Sequence, residues 1–499
     1  MKSTSGEHYV ALDHIRAIAA MLVFVWHFMH GPQGSPVPFE GTPVWGPLVL
    51  FDEGHVGVAL FMTLSGYLFA KLLDGKRIVY PLFFWNRALR LMPLMLLVIA
   101  INALSVALGS GNFRAAYWYL LSIPAGLVFP TWPNGGWSIT VELHFYLLLP
   151  LLLFLLRRWY QGLWLLLVVA ILFRTGYHEW TGEVQSLAYL TIFGRIDQFV
   201  LGILAFHGRA RLIGRHALAA GIAAAFFTLY WWFDRSGGFY LQPSYPSPSS
   251  LWIVLPTLEG LAFSALIAWY DGSFLHTNGP LSNLFAILGE YSYSIYLLHF
   301  YFVFVVARWI HANVLDLSNF YVALPVAVLA FIAMIPIGYL SMRFVERPFL
   351  RLRRRYIKVY IHNMNFLLIL GVSIIQVIIA YVWYSPILFG KFWIKIINAE
   401  DSLQSNTKEL GMSGTLLYIV QFVLQLFTNA IIYVAVNNSG PNSWAFAVIV
   451  WLGFMMPVVV QNEIWISSEN SAKLRKILIV GGQLLITTVL AGIIFGIFR

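Results

Sequence analysis

The chain has 499 residues, of which 60% are hydrophobic and only 10% charged, with a mean hydropathy of +0.76. A soluble protein of this length needs far more charge to cover its surface, so the composition excludes a soluble domain and predicts an all-α, polytopic helical membrane protein. The net charge of +10 lies in short clusters between apolar runs and is a topology signal, not a nucleic-acid footprint. Without cysteine there are no disulfides, thiolate nucleophiles or cysteine metal ligands.

A span needs roughly 20 apolar residues to cross a hydrocarbon core of about 30 Å. Ten candidate spans precede residue 345: near 15–30, 55–72, 90–109, 137–156, 162–175, 187–206, 217–233, 251–270, 284–307 and 321–344. Four more follow near 365–385, 413–436, 443–461 and 477–498. The first apolar run continues into polar "HFMHGPQGSPVP" without a cleavage site, which argues against a signal peptide.

Charge placement orients the first ten. With the N-terminus cytoplasmic, "KLLDGKR" with Arg87 and Arg90, "RRWYQ", "HGRARLIGRH" and "FLRLRRR" all fall inside. The outer loops are then left with scattered Arg114, Arg174, Arg235 and Arg308. This matches the positive-inside rule, and a bacterial inner membrane with a cytoplasmic N-terminus is the expected location.

The last four spans differ in composition. Residues 1–355 hold 20 Arg and 3 Lys, whereas 356–499 hold 2 Arg and 6 Lys. Twelve of the 13 histidines lie in the first part, and His362 is the exception. Two units are expected, 1–355 and 356–499. Continued alternation places Lys391, Lys395, Lys408, Lys473, Arg475 and Lys476 outside, against the charge rule.

Charged groups in a bilayer are costly and mark cavities, pathways or sites. In "LDHIRAIAAMLVFVWH", Arg16 and His27 are 11 residues apart. That is three helical turns, on one face and about 16 Å apart along the axis. Arg16 falls at the cytoplasmic mouth beside Asp13, and His27 in the outer half. Taken alone, a snorkelling Arg16 and a satisfied core His27 fit this helix equally well. In "GGWSITVELHFYLLLP", Glu142 also falls in the outer half, with Tyr146 one turn on along its face and His144 pointing away. His299, in "GEYSYSIYLLHF", reaches a similar depth. Arg87 and Arg90 suit phosphate by bidentate hydrogen bonding or serve as topology anchors. The small residues of "GVALFMTLSG" read first as a helix-packing face. The histidines lie on different spans without H-x-x-x-H spacing, so no metal site is expected.

These segments in this order resemble the acyltransferase-3 family of integral-membrane O-acyltransferases over residues 8–350. The matching elements are Arg16-x10-His27, "GVALFMTLSG" with Met62 in place of a Phe, "RALR", the Trp-Ser and Glu-x2-Phe-Tyr elements of "WSITVELHFY", "GRIDQFVLG", "SYSIYLLH" and "VERP". The resemblance implies a cytoplasmic acyl-CoA co-substrate, commonly acetyl-CoA, and no bound cofactor. The acceptor would be a hydroxyl on an extracytoplasmic or lipid-linked glycan. It implies His27 and Glu142 as catalytic residues, and Arg16, Arg87, Arg90 and Ser65 as acyl-CoA contacts. Asp13, Trp137, Ser138, Tyr146, Arg195, Asp197, Tyr296 and His299 would bind substrate or support the site. Attack by the acceptor on the thioester and an acyl-enzyme on Ser65, Ser138 or a tyrosine are both open routes. Residues 364–395 resemble a small family of uncharacterised four-span proteins, a unit suited to homo-oligomer or membrane-partner contacts. The rival reading is a transporter or flippase that uses the same buried polar residues, which predicts an internal repeat.

Overall fold

The computed structural model describes residues 9–358 except 32–33, 41–42, 44–45, 111–118, 120–121 and 277–278. In the C-terminal part it describes 366–385, 388–389, 422, 425–433, 436, 443–455, 459 and 470–497. Arg114, His362, Lys391, Lys395, Lys408 and most of the expected 413–436 span lie outside the described residues, as do the side chains of Lys473, Arg475 and Lys476.

Two compact units form. One comprises Met1–Gly75, Asn86–Tyr146 and Leu152–Arg355; the other joins Tyr356–Arg499 to Lys76–Trp85 and Leu147–Leu151. Among the described residues, nine helices are long and apolar enough to cross a membrane, and one bent helix pair would make a tenth crossing.

The first unit is built around α1 (Val10–Met29). This helix is buried over most of its surface. Its Ala17, Ala20, Phe24 and Phe28 pack in one core with Leu288, Ile295 and Phe331. A short helix α2 (Val49–Asp52) leads into α3 (Val56–Leu73). Gly57 and Gly66 of α3 explain "GVALFMTLSG": a Cβ would come within 2.5 Å of the Ala19 carbonyl and 2.0 Å of the Phe199 carbonyl. Both close backbone approaches therefore require glycine, and the segment is a helix-packing face.

The following helices correct several expected boundaries. The third span was placed at 90–109, but α4 runs from Tyr80 to Ser110. Arg87 and Arg90 thus lie within a continuous helix, not beside one. After α5 (Trp137–Arg158), the segment expected to be short is a full 21-residue helix, α6 (Gln161–Thr181), closed by Gly182 at φ 79°. Arg174, assigned to an outer loop, is consequently a buried residue of α6. The expected span 187–206 is two helices, α7 (Gln185–Leu190) and α8 (Ile192–Gly208). They break at extended Thr191, whose hydroxyl caps Gly194 N–H.

Next come α9 (His216–Arg235), the single turn α10 (Gly238–Leu241) and α11 (Leu251–Ser273). The expected span 284–307 is broken. It consists of α12 (Pro280–Glu290), α13 (Ser292–Leu298), a tight turn His299–Tyr301 and α14 (Val303–Asn313). Its two halves, Ser292–Tyr301 and Val303–Asn313, are bent by 58°. Finally α15 (Phe320–Ala333) and α16 (Ile335–Ser341) run into a wider π-turn at Met342–Glu346 and α17 (Arg347–Leu350).

In the second unit, β1 (Arg77–Ile78) and β2 (Ile357–Lys358) pair antiparallel. Its described helices include α18 (Phe366–Trp383), α19 (Ser443–Val450) and α20 (Asn470–Ile497). Buried amides tie it together: Asn429 Nδ2 donates to Ser373 Oγ at 2.8 Å and to Gln376 Oε1 at 2.6 Å, and Gln376 Nε2 donates to the Thr487 carbonyl at 2.8 Å. In an apolar setting such interhelical bonds replace water that the amides cannot reach.

Candidate active site

The break in the ninth expected span places a second histidine against α1. Gly289, at the end of α12, lies against the Asp13 backbone, where a Cβ would come within 1.9 Å of the carbonyl. The chain then passes along α1, and the α13 helix ends at His299 beside His27, with ring centroids 5.1 Å apart.

The hydrogen bonds assign the protons. His27 Nδ1 lies 2.9 Å from the Val23 carbonyl and 3.2 Å from His299 Nε2. His299 Nδ1 lies 3.1 Å from the Ile295 carbonyl. Carbonyls only accept, so both Nδ1 atoms carry hydrogen and His299 Nε2 accepts from His27. In the neutral imidazole this leaves His27 Nε2 with a bare lone pair, and no hydrogen bond to it exists among the described residues. His27 is half-buried, with Phe300 and Phe304 packed against its ring. The arrangement is a positioned proton acceptor with one open nitrogen.

The entry to α5 forms the adjoining wall. Asn134 (φ 55°) and Gly135 (φ 72°) take left-handed conformations that turn the chain sharply into the helix. The turn is pinned to α13: Asn134 Nδ2 donates to the Leu297 carbonyl at 3.2 Å, and Ser138 Oγ to Tyr296 Oη at 2.9 Å. Tyr296 in turn donates to the Gly135 carbonyl at 3.1 Å. Its ring centroid is 6.1 Å from that of His299. Ser138, Tyr296, His299 and His27 are therefore contiguous.

Glu142 takes its hydrogen bond from Tyr146, not from His27. The Arg87 guanidinium lies 5.9 Å from the Tyr146 ring and 5.3 Å from that of Phe69. Arg16, Arg87 and Arg90 all exert a coulombic pull on Glu142, so the arginines predicted as phosphate ligands share one electrostatic neighbourhood with it. Within it they are not equivalent. Arg90 Nη1 is 3.1 Å from Glu346, a fully buried carboxylate of the π-turn that also accepts from Ser294. Arg16 pairs with Asp13 one turn away and keeps a partly exposed side chain. Ser65 is half-buried on α3.

Arg195 and Asp197 are members of a closed network. Arg174 donates to Asp197, Thr257 and the Gly194 carbonyl at 2.6–2.7 Å. Arg195 stands 3.9 Å from Glu259, which also accepts from Gln198 and Tyr230. Trp137 and Tyr189 flank the Arg195 guanidinium at 5.7 and 4.5 Å. Two positive and two negative groups cancel here; removing one partner of such a buried pair costs roughly 3–5 kcal/mol.

Sequence reasoning missed Arg174 and Glu259. Glu259, in "LPTLEGLAF", carries the same signal as Glu142, an acidic residue well inside an apolar run. It also missed a group in which His30 Nε2 lies 3.0 Å from Asp52, and His55 Nε2 lies 2.9 Å from Glu53 Oε2 in a geometry that makes no hydrogen bond. Among the described residues no set of three or more His, Asp or Glu side chains could hold a metal ion.

Residues 9–343 match the family model described as an acyltransferase domain, and residues 367–496 match that of a protein of unknown function, DUF1761. The chain is 24% identical over 391 residues to a protein of Staphylococcus aureus (strain COL) named as an O-acetyltransferase, covering 68% of this chain and 56% of that one. It is 30% identical over 194 residues to nodulation protein 10 of Rhizobium leguminosarum bv. viciae, covering 34% and 50%. The chain thus spans about half the length of these curated relatives. No solved structure matches it. With the family model running through both histidines, the arginine pair and Glu142, the chain belongs to the acyltransferase-3 family of membrane proteins.

Proposed function

We propose that the protein is an integral-membrane O-acyltransferase that moves an acyl group, acetyl in the first instance, from cytoplasmic acyl-CoA to a hydroxyl of an extracytoplasmic or lipid-linked glycan. The observation that carries this reading is the open Nε2 of His27, held by the Val23 carbonyl and His299. In the proposed step this nitrogen takes the proton of the acceptor hydroxyl as its oxygen attacks the thioester carbonyl. The C–S bond then breaks, and the proton passes to the departing thiolate. The products are an ester and free CoA thiol, with no net proton gained or lost.

Arg16, at the α1 mouth, is proposed to hold a CoA phosphate, and Arg87 to steady the donor between Arg16 and His27. Arg90 is proposed to act through its fixed pair with Glu346, shaping the donor passage. Glu142 and Tyr146 balance that cluster. Residues 1–355 are proposed as the catalytic unit in a bacterial inner membrane with the N-terminus cytoplasmic. Residues 356–499 are proposed as an accessory unit for assembly or partner choice.

The test is transfer of labelled acetyl from acetyl-CoA by the purified protein. His27→Ala is expected to lower the rate about 10²–10⁴-fold while leaving the protein folded. A wild-type rate would return His27 to a packing role.

A further inference from the structure

Outside His27 the aromatic rings continue. Trp26 lies beside it, with centroids 4.8 Å apart. Tyr240 stacks on Trp26 at 5.8 Å and an interplanar angle of 10°. Phe39 and Tyr245 then meet Tyr240 at 4.7 and 5.3 Å. Phe39 and Tyr240 are half-buried, and Tyr245 is 49% exposed. None of these rings takes part in the chemistry described above.

The loop carrying Tyr240 and Tyr245 is fixed from below. Gly237 and Gly238 adopt φ of 111° and 58°, and Phe239 N–H donates to Glu53 at 3.2 Å. Gln185 donates to the Phe239 carbonyl at 2.9 Å and accepts from Ser247 N–H. The rings are therefore presented on a rigid support, which limits the ordering cost of binding.

The loop also selects by charge. Residues 236–250 (SGGFYLQPSYPSPSS) contain three aromatics, five serines and a glutamine, but no charged residue. Beneath them Glu53 accepts from Phe239 N–H, and Asp52 is paired with His30. A phosphate, a phospholipid headgroup or an acidic sugar would find no cation among residues 236–250. A neutral sugar fits: its C–H face is attracted to the negative face of a π-system, and its hydroxyls suit Ser, Gln and Tyr.

Resting on the O-acyltransferase reading, we infer that Phe39, Tyr240 and Tyr245, backed by the buried Trp26, form an acceptor subsite that stacks the rings of a neutral glycan and feeds a hydroxyl to His27.

The experiment uses the full chain in nanodiscs. Binding of neutral gluco-, galacto- and manno-oligosaccharides, with sialylated and phosphorylated counterparts, is followed by tryptophan fluorescence; acetyl-CoA affinity is measured separately. At least one neutral oligosaccharide is expected to bind more tightly than its anionic counterparts. Tyr240→Ala and the more exposed Tyr245→Ala should each weaken that binding tenfold or more, Tyr240→Phe should retain it, and acetyl-CoA affinity should be unchanged. Preference for anionic members, binding by none of the neutral ones, or alanine variants that bind like wild type would overturn the inference. Because the readout is binding, it stands apart from the reaction: stacking-dependent saccharide binding in a protein that transfers no acetyl would refute the enzymatic reading and leave the subsite intact.

Discussion

Replacing His299 by leucine tests how far the proton acceptor depends on its neighbour. The substitution removes the acceptor at 3.2 Å from His27 Nδ1 and leaves the Val23 carbonyl at 2.9 Å. One neutral hydrogen bond contributes about 0.5–1.5 kcal/mol, which corresponds to roughly a two- to twelvefold loss of kcat through the tautomer and ring orientation. Complete loss of the correct tautomer costs about 10⁴ in serine-protease triads, which sets the ceiling. The retained bond to Val23 places the expected loss near the lower end, about three- to tenfold. The KM for acetyl-CoA should not change, because His299 contacts no proposed donor ligand. The assay is steady-state acetyl transfer by wild type, His299→Leu, His27→Ala and the double variant. His299 acting only through His27 requires that the double variant be no slower than His27→Ala alone. If His299→Leu is as inactive as His27→Ala and the two losses multiply, the histidines have independent roles and the tautomer assignment is wrong.

Three further outcomes are expected. Arg16→Ala should weaken acetyl-CoA binding by about 1.5–3 kcal/mol, one to two decades in Kd by calorimetry, with saccharide binding unchanged; lost saccharide binding with intact CoA affinity would reverse the proposed orientation. A chain truncated after Arg355 should insert in the membrane and retain most of the transfer rate, and a folded truncate that binds acetyl-CoA without transferring would place part of the acceptor site in residues 356–499. Burial, with Asp52 alongside, pushes the Glu53 carboxyl up to about 8. A carboxyl raised in the fold contributes stability below its ordinary value near 4.3 and loses it as pH rises through about 8. Thermal stability should therefore fall between about pH 4 and pH 8, and Glu53→Gln should flatten that fall; parallel pH profiles for the two proteins would contradict it.

Much of the architecture was legible from apolar runs, because each backbone group in lipid must be satisfied within its own helix and spans are consequently long and uniform. What failed was local. The breaks at Thr191 and within Ser292–Asn313 occur inside continuous apolar sequence, and hydropathy does not register where a carbonyl changes partner. Arg174 was displaced to a loop because an arginine ends an apolar window. It donates four hydrogen bonds to residues 20–83 positions away in sequence. At the site, counting residues along two helices brought His27 and His299 to the same depth, and their rings lie 5.1 Å apart. Counting also placed Glu142 at that depth, but its carboxyl accepts from Tyr146, one turn on along the same helix, and not from His27. Glu346 was visible only as part of "VERP"; its role with Arg90 depends on the π-turn, which no spacing in the sequence announces.

The central claim is that a donor from one side and an acceptor from the other meet at His27. Its most direct test is a sealed proteoliposome with the protein in one orientation. Labelled acetyl-CoA is confined to the compartment facing Arg16, and the acceptor saccharide to the opposite one. The account predicts acetylated saccharide in the far compartment with wild type and none above background with folded His27→Ala. Transfer only when both substrates share a compartment, or undiminished transfer by His27→Ala, would contradict it.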